Sequence, residues 1–116
     1  MPKNKGKNDY DCGLGPAFDV IGGKWKTAIL WELHGGRLRY GELKRRVPGI
    51  SEKMLVQQLR ELERDALITR HVFHEVPPRV EYALTKWGTG LNAALGDLAA
   101  WGGRYAKATG RYPGQG

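Results

Sequence analysis

The sequence predicts a mainly α fold carrying a small β-hairpin, an α+β arrangement within one domain. Three observations lead there. Leu55, Leu59, Leu62 and Ala66 fall in a narrow arc at about 100° per residue, the pattern of a helix with one buried stripe. Pro48-Gly49 stops one short helix and Ser51 opens the next, so the chain turns a corner in roughly four residues. Beyond VPP, Val80, Tyr82 and Leu84 alternate, and the period changes from that of a helix to that of a strand.

Taken in order, residues 1–11 (MPKNKGKNDYD) are polar, with Lys3, Lys5 and Lys7, and read as a flexible arm. No apolar run follows those lysines, so the arm does not read as a secretory signal. The ordered domain spans 12–107. PAFDVI forms a short helix with Pro16 tolerated in its first turn. Gly22-Gly23 interrupts it, and KWKTAILWELH resumes helical spacing through Trp25, Ile29 and Leu33 until Gly35-Gly36 stops it. RLRY is a strand stub. GELKRRV is a helix with Leu43 and Val47 on one face and Lys44, Arg45 and Arg46 largely outside. Ser51 caps the helix that follows. ITRHVFHE and RVEYALT pair as a hairpin, with the prolines of VPP confined to its tip. Thr85 caps a last helix over 86–107, carrying Leu91, Leu95, Leu98 and Trp101 and interrupted at Gly102-Gly103. Residues 108–116 read as a flexible tail.

Helices, a helix-turn-helix, a hairpin and a closing helix make the plan of a winged helix-turn-helix domain. Its terminal helices hold more large apolar residues than one small core uses, Trp25, Trp31, Trp87 and Trp101 among them. An isologous homodimer through those helices is the expected outlet. The chain has 116 residues, 41% hydrophobic and 27% charged, the balance of a globular domain. No apolar run approaches the roughly 20 residues that cross a bilayer, so no membrane partner is expected and the cytoplasm is the default location. Nineteen Lys and Arg against twelve Asp and Glu leave +7, which suits a polyanionic partner. Eight of those cations lie in 37–64 against four glutamates, so the excess surrounds the helix-turn-helix.

Opposite the leucine stripe, Lys53, Gln57, Arg60 and Arg64 share one side of their helix. A helix of this kind fits the major groove of double-stranded DNA, entering by its N-terminal part. Ser51, Lys53 and Gln57 then lie nearest the bases, and Gln57 can pair bidentately with adenine. Arg60 and Arg64 lie further along and touch backbone. Arg39, Lys44 and Arg45 anchor phosphates beside the first helix of the pair, and Arg79 at the hairpin tip reaches a minor groove or its flanking phosphates. The plain alternative is a solvated face laced with ion pairs, which Glu61 and Glu63 favour. The short turn, the hairpin and the local basic excess outweigh it.

CGLGPAFDVIGGKWKTAILWEL, RYGELKRRVPGISEKMLVQQLRELERDALITR and EVPPRVEYALTKWG resemble the HxlR family of bacterial transcriptional regulators over residues 12–102. The resemblance implies a winged-helix homodimer that binds inverted-repeat operators, has no enzymatic activity and responds to a small-molecule effector, an electrophile or an oxidant. One departure is Ala66, where the family usually has glycine; alanine fits there if the backbone is helical. The resemblance also gives Cys12, just before the first helix, a sensing role. A thiol near a helix N-terminus and basic residues becomes more nucleophilic, whereas Asp9 and Asp11 oppose this. With one cysteine per chain, the routes open are a Cys12–Cys12′ bridge across the dimer, a mixed disulfide with a small thiol, or alkylation. An inert, semi-buried cysteine is the alternative.

No cofactor or metal is expected. His71 and His74 are three apart in an expected strand and so point to opposite faces. GGKWK resembles a phosphate loop, but Trp25 stands where a Ser or Thr would hold magnesium; its glycines are expected to allow close helix packing while Trp25 enters the core. Two rival functions use the same fold: a protein-interaction module with a merely solubilising basic face, and a nonspecific nucleoid or RNA-binding protein.

Overall fold

The computed structural model describes residues 13–111. Helices α1 (Leu14–Ile21) and α2 (Lys26–Glu32) lead through a 3-10 turn at Leu33–Gly35 into strand β1 (Leu38–Arg39). Helices α3 (Tyr40–Arg46) and α4 (Glu52–Arg64) follow, then strands β2 (Ile68–Phe73) and β3 (Arg79–Leu84), and the long helix α5 (Lys86–Thr109). The winged-helix plan is present, with one addition. The strand stub is not free: β1 pairs antiparallel with β3, Leu38 opposite Tyr82 and Arg39 opposite Glu81, giving a three-stranded sheet ordered β1-β3-β2. β2 runs antiparallel to β3 from Ile68 opposite Leu84 to Phe73 opposite Arg79.

The core gathers apolar residues from every element between α2 and β3. Ile29, Leu30 and Leu33 meet Leu43, Val47 and Ile50, and the stripe of Leu55, Leu59 and Leu62 closes onto Ile68 and Tyr82. α5 crosses behind, packed on α2 and β3 and tied to α2 where Asn92 Nδ2 donates to the Leu30 carbonyl at 2.6 Å. The corner between α3 and α4 is held by two buried side chains, Val47 and Ile50, with Gly49 between them at φ +88. That φ lies in the left-handed region, which glycine enters without steric cost. Trp25 packs against the core from α2's N-terminus, with its ring 3.8 Å from the position a Cβ on Gly49 would take.

Several boundaries differ from expectation for local reasons. α3 starts at Tyr40, because the Arg39 N–H donates to Glu42 Oε1 at 2.9 Å and closes the first turn from outside. Gly22-Gly23 does not serve packing between helices: Gly23 turns at φ +95 and a Cβ there would meet nothing within 4 Å, while a Cβ on Gly22 would stand 3.3 Å from the Phe18 carbonyl oxygen of the helix it ends. α5 is not interrupted at Gly102-Gly103; it runs on to Thr109, with Trp101 and Tyr105 stacked across the pair at 5.1 Å. Glycine costs a helix only about 1 kcal/mol per residue, which neighbouring contacts override. His74 lies beyond the end of β2, so the opposite-face argument no longer applies to it.

Ala66 is the clearest correction. It does not belong to the buried stripe and its backbone is not helical: the residue is exposed, with φ 63. Its N–H donates to the Glu63 carbonyl at 3.0 Å, and the Leu67 N–H to the Leu62 carbonyl at 3.0 Å. These are the two bonds of a Schellman stop, in which the left-handed residue is normally glycine. An L-residue pays about 1–2 kcal/mol for that conformation, while glycine gives back about 0.4–1 kcal/mol through unfolded-chain entropy. Ala66→Gly should therefore stabilise the domain by up to about 1 kcal/mol, seen as a higher urea midpoint. A lower midpoint would show that the alanine is not strained.

Candidate nucleic-acid interface

The centre of the site is α4. Ser51 Oγ accepts the Met54 N–H at 3.0 Å and starts the helix, and the Leu55–Leu59–Leu62 stripe fixes its rotation against β2. Lys53, Gln57, Arg60 and Arg64 are all exposed, and at 3.6 residues per turn they share a strip about 60° wide on the far side. Arg64 ends the helix, its Nε 3.4 Å from Asp65 Oδ1 and its side chain 68% exposed. The other predicted cations divide into three groups. Lys44 and Arg45 sit in the last turn of α3, Lys44 half-buried and Arg45 exposed. Arg39 is exposed on β1, opposite Glu81 and immediately before α3. Arg79 begins β3 and is already engaged: its Nη1 lies 3.4 Å from Glu75 Oε1, its guanidinium lies over Phe73, and its Nε makes a charge contact with Glu81 Oε2 at 3.1 Å. A nucleic acid reaching Arg79 has to compete with two carboxylates.

The sequence reading missed Arg70 and Lys26 and took Glu61 for a solvated surface charge. Arg70, on β2 opposite Tyr82, stands on the sheet face turned toward α4. With Val56, Leu59, Arg60, Glu63 and Tyr82 it lines a cleft of about 460 Å³ between that helix and the hairpin. The signal was its two-residue phase with Ile68. Lys26 Nζ is 2.6 Å from Glu61 Oε1, with the lysine side chain 8% exposed. Hydrogen bonds from Lys26 and then Gln57 hold the Glu61 carboxyl below the usual carboxylate range. Lys26 shares its helix face with Ile29, Leu30 and Leu33, spacing that marks a buried cation in need of a carboxylate.

Outside the basic face, apolar surface collects on the terminal helices. Leu14 and Phe18 on α1 and Trp87, Leu98 and Trp101 on α5 are each at least half exposed, and Trp31 on α2 is 47% exposed. Cys12 lies outside the described residues, as does most of the arm and tail. Among the described residues, no helix is long and apolar enough to cross a membrane, and no three His, Cys, Asp or Glu gather as metal ligands.

A helix-turn-helix with an exposed polar second helix, followed by a β-hairpin wing, defines a winged helix-turn-helix protein. Residues 20–110 match the model of the HxlR-like helix-turn-helix family, and the chain belongs to that family. It is 47% identical over 98 residues to the HTH-type transcriptional regulator YkvN of Bacillus subtilis strain 168, covering 84% of this chain and 83% of that one. Among solved structures it is similar to a MarR-family transcriptional regulator from Enterococcus faecalis V583, with TM-score 0.79, 41% identity, and coverage of 94% and 99%. It is also similar to the redox regulator HypR in its oxidized form, with TM-score 0.73, 43% identity, and coverage of 78% and 94%. The chain is a transcriptional regulator of the HxlR/MarR type, not an enzyme.

Proposed function

We propose that the chain acts in the cytoplasm as a homodimer that binds an inverted-repeat operator in double-stranded DNA, with α4 of each protomer in a major groove. The observation that carries this is the exposed strip of Lys53, Gln57, Arg60 and Arg64 on a helix whose opposite face is locked into the core. Ser51, Lys53 and Gln57 read bases, and Arg60, Arg64, Lys44 and Arg45 hold phosphates. Arg39 and Arg79 approach the flanking backbone from the wing side, and Arg70, on the other face of the sheet, lines the cleft beside α4 with Arg60. The exposed apolar residues of α1 and α5 support a dimer through the terminal helices, which sets the two α4 helices about one DNA turn apart. The likeness to a redox regulator supports adding Cys12 as the thiol through which an oxidant or electrophile releases the operator.

One titration tests the whole reading. Duplexes selected from a random pool should bind at least about 10³-fold tighter than random DNA, with a steep loss of affinity as salt rises. Slope without preference would make this a nonspecific nucleic-acid binder; neither would make the fold a protein-interaction scaffold. Repeating the titration after diamide treatment should show release, and unchanged binding with Cys12 modified would remove the thiol from the scheme.

A further inference from the structure

Lys26 and Glu61 form a chain of contacts that ends on Gln57, and nothing in groove binding by itself requires it. Lys26, the first residue of α2, reaches α4 with its side chain only 8% exposed. A buried ammonium persists only with a partner, and Glu61 provides one at 2.6 Å through Oε1. The second oxygen, Oε2, lies 3.4 Å from Gln57 Nε2, one turn back on the same helix. Gln57 and Glu61 also line the same groove-facing concavity as Lys53 and Arg60.

We infer that Lys26 and Glu61 are positioning residues for base readout, fixing which end of the Gln57 amide faces which way. This rests on the reading of α4 as the groove-binding helix. An ionised carboxylate only accepts hydrogen bonds, so it attracts the amide NH₂ and repels the amide oxygen. One N–H of Gln57 is then held by Glu61. The other N–H and the carbonyl oxygen remain for the groove, in fixed order along the helix. Adenine presents an acceptor at N7 beside a donor at N6, which that pair matches. Guanine presents two acceptors, N7 and O6, and meets the amide oxygen with repulsion. A free glutamine can turn its amide over; a tethered one cannot. Lys26 keeps the tether in place by occupying the first carboxylate oxygen from inside the protein, so Glu61 neither swings to solvent nor pairs with Arg64.

The test is base preference at single positions of the selected operator, measured for wild type, Gln57→Ala, Glu61→Gln and the double variant. Glutamine at 61 both donates and accepts, so it tolerates either amide orientation of Gln57. Glu61→Gln should lower the preference at the base pair read by Gln57 by about tenfold while preference at the other positions is kept; the lost negative charge raises affinity for all duplexes alike, so the ratio between bases is the readout. In the Gln57→Ala background the same change should do nothing. Lys26→Met combined with Glu61→Gln removes both charges together and keeps the interior neutral, so it reports even if the single variant folds poorly. A merely structural role for the ion pair would lower melting temperature and affinity alike without moving preference at one base pair. Preference lost in Gln57→Ala but kept in both Glu61 variants overturns this inference alone. A wild type with no preferred sequence overturns the reading of α4 and this inference with it.

Discussion

Leu62→Ala should lower the unfolding free energy by about 2–5 kcal/mol, the range for deleting a fully enclosed leucine side chain. Leu62 has no exposed surface. It sits in the last turns of α4, where that helix packs on β2, and its carbonyl accepts the Leu67 N–H that closes the Schellman stop. Leu62 and Leu67 are both buried, as the apolar contact accompanying such a stop requires. Alanine removes three carbon atoms between a helix and a sheet whose backbones are both pinned, so the space cannot collapse fully and a cavity remains. A domain of this size has about 5–15 kcal/mol in total, so the loss is a large share. Urea unfolding should show a lower midpoint at an unchanged slope, the sign that stability and not compactness has changed. Val56→Ala, on the same helix but 36% exposed, is the comparison and should cost much less. Similar costs for the two would mean that α4 is not anchored through this stripe.

The same anchoring explains how much of the molecule could be read in advance. α4 was legible because two independent signals agree: leucines at helical spacing and a serine that caps. The wing was legible because Val80, Tyr82 and Leu84 keep strict alternation. β1 was only half legible. Two residues are too short to show a period, and the partner that makes Leu38–Arg39 a strand lies some forty residues away, at Glu81 and Tyr82. Gly102-Gly103 misled because helix propensity is a weak local term that the stack of Trp101 on Tyr105 spans. Ala66 misled for a different reason: alanine at the end of a leucine stripe continues the pattern, while the backbone has already left the helix.

The candidate site divides in the same way. The basic strip on α4 follows from phase alone, so Lys53, Gln57, Arg60 and Arg64 stand where the helical wheel puts them. Arg79 lies near the tip, where Glu81 meets it from two residues along the same strand, but its engagement by Glu75 depends on the turn that folds that residue back toward it. Glu61 was read as an ordinary surface charge. Its partner, Lys26, is 35 positions earlier in the chain, and only the tertiary fold brings the start of α2 to α4. Local periodicity reports faces; it does not report which faces meet.

Gly88→Ala carries the second large effect, about 3 kcal/mol of destabilisation, at the upper end of what overpacking usually costs. On propensity alone the change should help, because Gly88 lies in the first turn of α5 and alanine favours a helix by about 1 kcal/mol. Packing reverses the sign. A Cβ at this position would press into the Leu67 carbonyl oxygen, and would stand 3.0 Å from Leu84 Cδ2 and 3.2 Å from the Leu67 carbonyl carbon. The leucine side chain can give way, but the carbonyl cannot. It accepts the Thr85 N–H at 3.0 Å, while Thr85 Oγ1 donates to the Ala66 carbonyl at 2.6 Å and accepts the Gly88 N–H at 3.1 Å. Displacing Leu67 therefore loosens the end of α4, the start of β2 and the cap of α5 at once. Gly90→Ala is the matched control: two residues on, with nothing within 4 Å of its added carbon, it should stabilise by up to about 1 kcal/mol. Opposite signs two residues apart would show that the long helix is joined to the wing by direct backbone contact, so that a dimer built on α5 carries the orientation of α4 with it. Equal and favourable effects would show that this joint yields, and the spacing of the α4 helices in the proposed dimer would then need another origin.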